Sequence, residues 1–447
     1  MTGVAHVSYD VCINNCICFA EHPEQLSCPL CGEARYRRVG HKDIPRKTFD
    51  YIPVQHRLYS DPKAARDLKS YRKKLEDTAE GDVLRDFWDA KLCAELKKKG
   101  ILTDPRSLAF YFSTDGVCLF RKGRQHTVHP LLLINLHPKL RFQKEIIFLG
   151  IIPGPKKPKD LLSFLRPVVD EFKVLASGVP AIDASIPVEN TLLRSFQLHA
   201  YYICVVGADM PARDALMGLA GYNARNYCNY CLVRGIYSDK VGHIYCPLAP
   251  PRNSPPNPDW QTYDPLQLPL MDHTLSRQWA EHVARTGDDV TTRMTGIAKR
   301  TILWKLESIV FPWSYGLNAM HLFYQNVAPR MRDHWAGQFP LAKMDNSEDN
   351  AYLISQNMWR DIERDMERII YPTAFGDKPR SPLAVRKAAE WKAWTKAISP
   401  VILQGRLPEP YYREWRVGGL RRVLVVRQWQ AESRASLQRV PCMEERD

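Results

Sequence analysis

Nothing in these 447 residues is apolar for long enough to cross a bilayer. The strongest runs, Glu145–Ile152 and Ala200–Val206, stop far short of the roughly 20 residues a spanning helix needs. The opening MTGVAHVSYD has no basic stretch followed by an apolar core, so no secretion leader is expected. Three nucleotide and hydrolase signatures are missing: a Walker A loop, a G-x-G-x-x-G after a strand, and a G-x-S-x-G elbow. Their absence sets aside P-loop, dinucleotide and serine-hydrolase chemistry. No segment repeats at a solenoid period. Acids are scarce: 49 Asp and Glu face 63 Lys and Arg, a formal charge of +14. That excess is spread along the chain and not gathered in a tail. It points to a polyanionic partner, with solubility as the plainer alternative. It also disfavours a zinc hydrolase of small substrates.

What is present describes a globular protein of one large or two to three ordinary domains. Hydrophobic residues make up 45% of the chain, and the mean hydropathy is −0.36. Without a leader an intracellular setting is expected, where the twelve cysteines are thiols or metal ligands and not disulfides. Five of them crowd residues 1–50, in YDVCINNCICF and LSCPLCGEARY. Cys12, Cys28 and Cys31 are the firmest ligands for a Zn²⁺ site, and Cys16 is preferred over Cys18 as the fourth. Basic residues follow at once, as in a ribbon facing nucleic acid; a purely structural staple fits equally well. A second set, Cys228, Cys231, His243 and Cys246, has the spacing C-x2-C-x11-H-x2-C that suits tetrahedral zinc. KKPK at Lys156–Lys159 reads weakly as a nuclear import signal.

Between these clusters the chain alternates strands and helices. SLAFYFS, HPLLLINL and KEIIFLGII read as a three-stranded meander. Residues 158–178 follow with helical spacing of Leu162, Leu165, Val169, Phe172 and Leu175. A strand over Ser195–Val206 then leads to Asp209 and a helix opening near Pro211. The order β-β-β-α-β-α, with Asp115 on the first strand and Asp209 just past the fourth, is how an RNase H-like fold places metal-binding acids. Carboxylates at neighbouring strand ends suit Mg²⁺ or Mn²⁺, and a pair of such ions cuts and joins phosphodiesters. Each acid also has a local reading. Asp115-Gly116 is a hairpin-turn signal, and Asp209 before Pro211 is a helix N-cap.

In order along the chain, ten motifs resemble the transposases of CACTA-type (En/Spm-like) DNA transposons, most of all the form common in mushroom-forming basidiomycete fungi. They are YDVCINNCICF, CPLCGEARY, RKTFDYIPV, YSDPKAARDLKSYR, STDGVCLF, LGIIPGPKKPKDLLSFL, D-x-P-A, GYNA-x3-C-x2-C, AMHLFYQN and HW-x-G-x-FP. The resemblance covers about residues 8 to 415. It implies an RNase H-like DDE/D core acting through two metal ions, with Asp115 and Asp209 as first and second acids and Cys228–Cys231 as the following pair. The family's further acids, before the Met-His pair and before the asparagine, are replaced here by Asn318 and Gln325. A neutral amide lacks the charge a metal ligand supplies. The family also runs well past Trp415.

The expected fold is therefore α/β: an RNase H-like mixed-sheet core with a zinc-knuckle insertion, a zinc-ribbon-like start and a helical C-terminal half. The expected division is a zinc-ribbon-like module over 1–50, a helical linker region over 51–105 and the core with its knuckle over 106–246. A proline-rich loop over 247–271, a helical region over 272–415 and an unmatched tail over 416–447 complete it. The expected function is a nuclear, transposon-end DNA-binding protein with the DDE/D fold, truncated and catalytically impaired, Gln325 standing at the third catalytic position. No membrane partner is expected, and self-association stays open. The rival reading is a non-enzymatic, zinc-stabilised DNA-binding or interaction protein left by transposon decay.

Overall fold

The computed structural model describes residues 5–54, 59, 61–78, 83–118, 125–141, 146–238, 242–246, 248–250, 260–338, 351–373, 378, 380–384 and 387–416. Contacts divide the chain into two units. Among the described residues, the first holds the chain to Tyr237 and Ile244–Gly316, and the second holds Ser238–His243 and the chain from Leu317 to Arg416.

The first unit is built on a mixed sheet. The unit's strands up to Gly207 are β1 (Val7–Asp10), β2 (Tyr36–Val39), β3 (Lys42–Pro45), β4 (Thr48–Tyr51), β5 (Leu108–Ser113), β6 (Asp115–Cys118), β7 (Gln125–Leu133), β8 (Ile146–Ile152), β9 (Val179–Ile182), β10 (Ser195–Leu198) and β11 (Ala200–Gly207), of which β2–β3 and β9–β10 pair apart from the main sheet. Among the described residues the main sheet has seven strands, ordered β1-β4-β8-β7-β5-β11, with β6 also paired to β7. Strands β5, β7 and β8 are antiparallel neighbours, as the meander predicts, and β11 returns parallel to β5. The β5 sequence LAFYFS is buried on nearly every residue, as a central strand covered on both faces must be.

Two local features differ from the sequence reading. The run Ser195–Val206 is not one strand: it breaks at His199, β10 pairs with β9, and only β11 enters the main sheet. Residues 1–50 do not stand apart either. Strands β1 and β4 extend the sheet edge through Tyr51 opposite Gly150. A Cβ at Gly150 would sit 2.5 Å from the Phe49 ring and 2.6 Å from the Asp50 carbonyl oxygen, so only glycine lets β4 lie there.

Helices close the core. Pro62–Asp77 is capped by Asp61, whose side chain accepts from the Ala64 amide. Later in the region expected to be helical over 51–105, a 3-10 turn at Phe87–Asp89 leads into the helix Lys91–Lys98. Leu161–Phe164 and Arg166–Ser177 form the helix read from the leucine spacing, with Leu162, Leu165, Val169, Phe172 and Leu175 all buried. Each such side chain stabilises the fold by about 1.5–3 kcal/mol before entropy is counted.

The helical region expected over 272–415 parts after Gly316. Helices His273–Thr286 and Asp289–Thr295 belong to the first unit, where Tyr315 bridges to Val205 beside β11. In the second unit the helices Ala328–Trp335, Gln356–Arg368 and Ala388–Ala393 surround a core containing Trp335, Trp359, Trp391, Trp394 and Trp415. Those rings are packing residues and not base-stacking platforms. Among the described residues, no helix is long and apolar enough to cross a membrane.

Candidate metal centre and acidic site

Two backbone knuckles make the N-terminal cluster. In the first, Asn15 takes a left-handed φ of 59°, its amide donates to the Cys12 carbonyl at 2.8 Å, and the Cys12 amide donates to Ile17 at 3.0 Å. In the second, the Gly32 amide donates to the Cys28 carbonyl and the Cys28 amide to Glu33, both at 2.8 Å. Together they bring Cys12, Cys16, Cys28 and Cys31 to one point, with sulfurs all within 4.8 Å of one another. A tetrahedral Zn–S₄ site with bonds near 2.3 Å separates its sulfurs by about 3.8 Å, so this set can hold zinc. Burial, with the neighbouring thiols, pushes Cys16 up to about 12. Cys31 is exposed and drawn down to about 6, chiefly by the Glu33 backbone hydrogen bond. A dication relieves that conflict by favouring every thiolate at once. Cys18 is outside the cluster. It bridges to Val11, its amide donates to Ser163 Oγ at 2.9 Å, and burial pushes its thiol up to about 11.

The second set is only partly drawn together. Cys228 and Cys231 have sulfurs 3.0 Å apart, and the shared hydrogen bond lowers Cys228 to about 6 and raises Cys231. Cys246 lies with its sulfur 3.7 Å from the Val233 carbonyl oxygen. His243 begins the short strand His243–Tyr245, and its side chain is outside the described residues. Among the described residues, the N-terminal four are the cysteine group close enough to surround one ion.

The acids are placed by the parallel pairing of β5 with β11. Its register ends at Ser113 opposite Gly207, so Asp115 and Asp209 each lie two residues beyond the same rung. Ser113 Oγ donates to the Gly207 carbonyl at 2.9 Å, and a Cβ at Gly207 would fall 1.8 Å from that oxygen. The glycine is what lets the strand ends meet. Asp115 is not a hairpin-turn residue: it opens β6 opposite Val128, and the pairing continues to Cys118 opposite Gln125. Its side chain lies outside the described residues. Asp209 does cap the helix Met210–Met217, accepting from the Ala212 amide at 2.9 Å through Oδ1. Among the described residues no hydrogen bond occupies its second oxygen.

A cavity of about 230 Å³ opens beside it, lined by Thr114, Thr127, Lys157, Lys159, Asp209 and Ala212. The two lysines were not legible as site residues, because their KKPK run reads as a basic surface signal and nothing local places it beside Asp209. Behind the helix, Arg213 donates to Asn229 Oδ1 at 2.9 Å and Asn229 donates to Asp214 at 2.6 Å. Burial raises the Asp214 carboxyl, with Asn229 and Arg213 opposing. This buried network ties the acid-bearing helix to the Cys228–Cys231 knuckle.

In the second unit, Gln325 is exposed on a π-helical stretch, Met320–Val327. Asn318 precedes it and accepts from the Met320 amide at 3.0 Å and the His321 amide at 3.4 Å.

Residues 83–245 match the model of a family described as Transposase family tnp2. The matched segment holds Asp115, Asp209 and the Cys228–Cys231 pair, and it supports a transposase-like function. No curated protein matches the chain.

Proposed function

We propose that this chain is a transposase-related DNA-binding protein of the CACTA type, with an RNase H-like core whose Asp115 and Asp209 hold Mg²⁺ or Mn²⁺. The observation that carries it is the shared rung: two aspartates leave the same end of one parallel strand pair, each two residues past Ser113–Gly207. The order β8-β7-β5-β11, with the last strand parallel to β5, supports the RNase H-like reading. Bound there, the ions would activate a water and stabilise the leaving oxygen of a phosphodiester. The chain's own part is to fix the acids: Ser113 and Gly207 lock the strand ends, and the Ala212 amide orients one Asp209 oxygen. Zinc at Cys12, Cys16, Cys28 and Cys31, and a second at Cys228, Cys231, His243 and Cys246, would brace the fold. The charge of +14 suits DNA, and a chromosomal partner places the protein in the nucleus.

Gln325 favours weak or absent catalysis, because an amide offers a neutral oxygen where the third acid would offer charge. It equally supports the second reading, a non-enzymatic zinc-stabilised DNA-binding protein. The deciding experiment is nicking of a supercoiled plasmid with Mn²⁺. Wild type should stay near background, Gln325→Glu should raise nicking, and adding Asp209→Asn should return it to background. Robust wild-type cutting that Asp209→Asn leaves intact would refute this placement of the site. DNA binding with no nicking by either protein would leave the non-enzymatic reading standing.

A further inference from the structure

Between β8 and the helix Leu161–Phe164 the chain passes through PGPKKPKD, residues 153–160. This segment has no regular secondary structure, yet its backbone is pinned by the first cysteine knuckle. Asn15 is 1% exposed, and its Nδ2 donates to the carbonyls of Pro153 and Lys156 at 2.5 and 2.6 Å. Lys47 Nζ donates to the Pro153 and Gly154 carbonyls at 2.9 and 3.3 Å, and to Asn15 Oδ1. The amides of Lys159 and Asp160 donate back to the carbonyls of Asn15 and Cys16 at 3.2 and 2.9 Å. Lys156 is used up as well, its Nζ reaching Asn14 Oδ1 at 3.1 Å.

That leaves Lys157 and Lys159. Both are exposed, and both line the cavity that also holds Asp209, Thr114 and Thr127. Among the described residues neither ammonium has an ion pair or a side-chain hydrogen bond. Two cations without an ion pair among the described residues, on a backbone pinned by these hydrogen bonds and by the Gly154 amide donating to His126 Nδ1 at 3.2 Å, form a preorganised anion seat. Asp209 in the same cavity narrows the choice of anion. A phosphodiester would suit both kinds of group, one oxygen on the lysines and another on a cation at Asp209. Use as an import signal would require the segment to leave this seat.

We propose that residues 153–160 are a phosphate-binding strap, in which Lys157 and Lys159 receive a backbone phosphate of a nucleic-acid strand beside Asp209. The loop from Cys12 to Cys18 is the seat that sets the strap's position, with Asn15 and Lys47 as positioning residues. This rests on the DNA reading above and gives the N-terminal cysteine cluster a role as a brace for substrate contacts.

The test is fluorescence anisotropy of the full chain with a labelled DNA duplex across a salt series. The double variant Lys157→Gln/Lys159→Gln should bind at least about tenfold more weakly at low salt and flatten the log–log salt slope by about 1–2. Removing the same charge at two exposed helix positions, Lys63→Gln/Lys73→Gln, should cost less. Asn15→Ala keeps both cations and should still weaken binding at unchanged zinc content. Equal losses for the strap pair and the control pair would overturn the proposal, and so would wild-type affinity in the strap variant. Wild-type protein that binds no duplex would instead overturn the DNA reading on which the strap depends. If Asn15→Ala fails to fold, the lysine pair still decides.

Discussion

Asp209 spends one oxygen on the Ala212 amide, so it is at once a helix cap and the proposed cation ligand. The two roles separate by substitution. Asn keeps an oxygen for the cap and removes the charge, whereas Ala removes both. Asp209→Ala should therefore lose about 0.5–2 kcal/mol in urea unfolding, and Asp209→Asn much less. Both should lose Mn²⁺ binding in a calorimetric titration, and an Asp209→Asn variant that titrates like wild type would show that the cation sits elsewhere. Single residues also mark where sequence reading stops. Cys16 and Cys18 lie two positions apart, and the sequence prefers Cys16 without supplying the geometry that decides between them. The turn at Asn15 supplies it, folding Cys16 back toward Cys12 while Cys18 bridges to Val11.

Strand β7 carries a proline in the middle of the sheet, where a missing N–H should break the ladder. The register shifts between Val128 and Pro130, where Leu149 and Gly150 of β8 oppose the single residue His129, so a bulge in β8 accompanies the defect. Opposite that bulge His129 is 1% exposed, with both ring nitrogens unpartnered among the described residues and the ring stacked on Phe112 at 5.4 Å. Burial lowers its pKa from 6.5 to about 4. Above pH 6.5 the ring is neutral folded or unfolded and contributes no pH dependence. As pH falls from 6.5 toward 4, the unfolded chain takes the proton first, so stability is lost across that window. The loss should reach the order of 3 kcal/mol. His129→Phe should flatten the curve of unfolding free energy between those limits; an unchanged slope would mean the ring is not held neutral. The Asp-Gly pair shows the converse failure at element scale. Its turn propensity is real, but Asp115 is held in β6 by pairing with β7, because tertiary context overrides a local preference.

Across the molecule, the four-cysteine loop is tied to the segment after β8 through Asn15 and Cys16, and to the helix Leu161–Phe164 through Cys18 and Ser163. Losing its metal should therefore loosen more than the loop itself. Purified protein should hold about one or two zinc ions per chain by elemental analysis, and chelation should lower the melting temperature. Cys16→Ser should remove one zinc, while Cys18→Ala should leave the zinc content unchanged. Metal-free protein that melts as before would rule out a structural role for both clusters.

The sequence by itself determined the elements and their chemistry. Apolar spacing placed the meander and the buried helix face at Leu162, Leu165, Val169, Phe172 and Leu175. Cysteine spacing pointed to the four residues that converge, because knuckle geometry is local. Breaks in apolar runs drew attention to Asp115 and Asp209. Tertiary structure decided what depends on long-range register. It ended β5 and β11 on one rung, broke the 195–206 run at His199 and joined residues 1–50 to the sheet edge. It also brought Lys157 and Lys159 beside Asp209. Those outcomes rest on hydrogen bonds and packing between residues far apart in the chain, which no local pattern encodes.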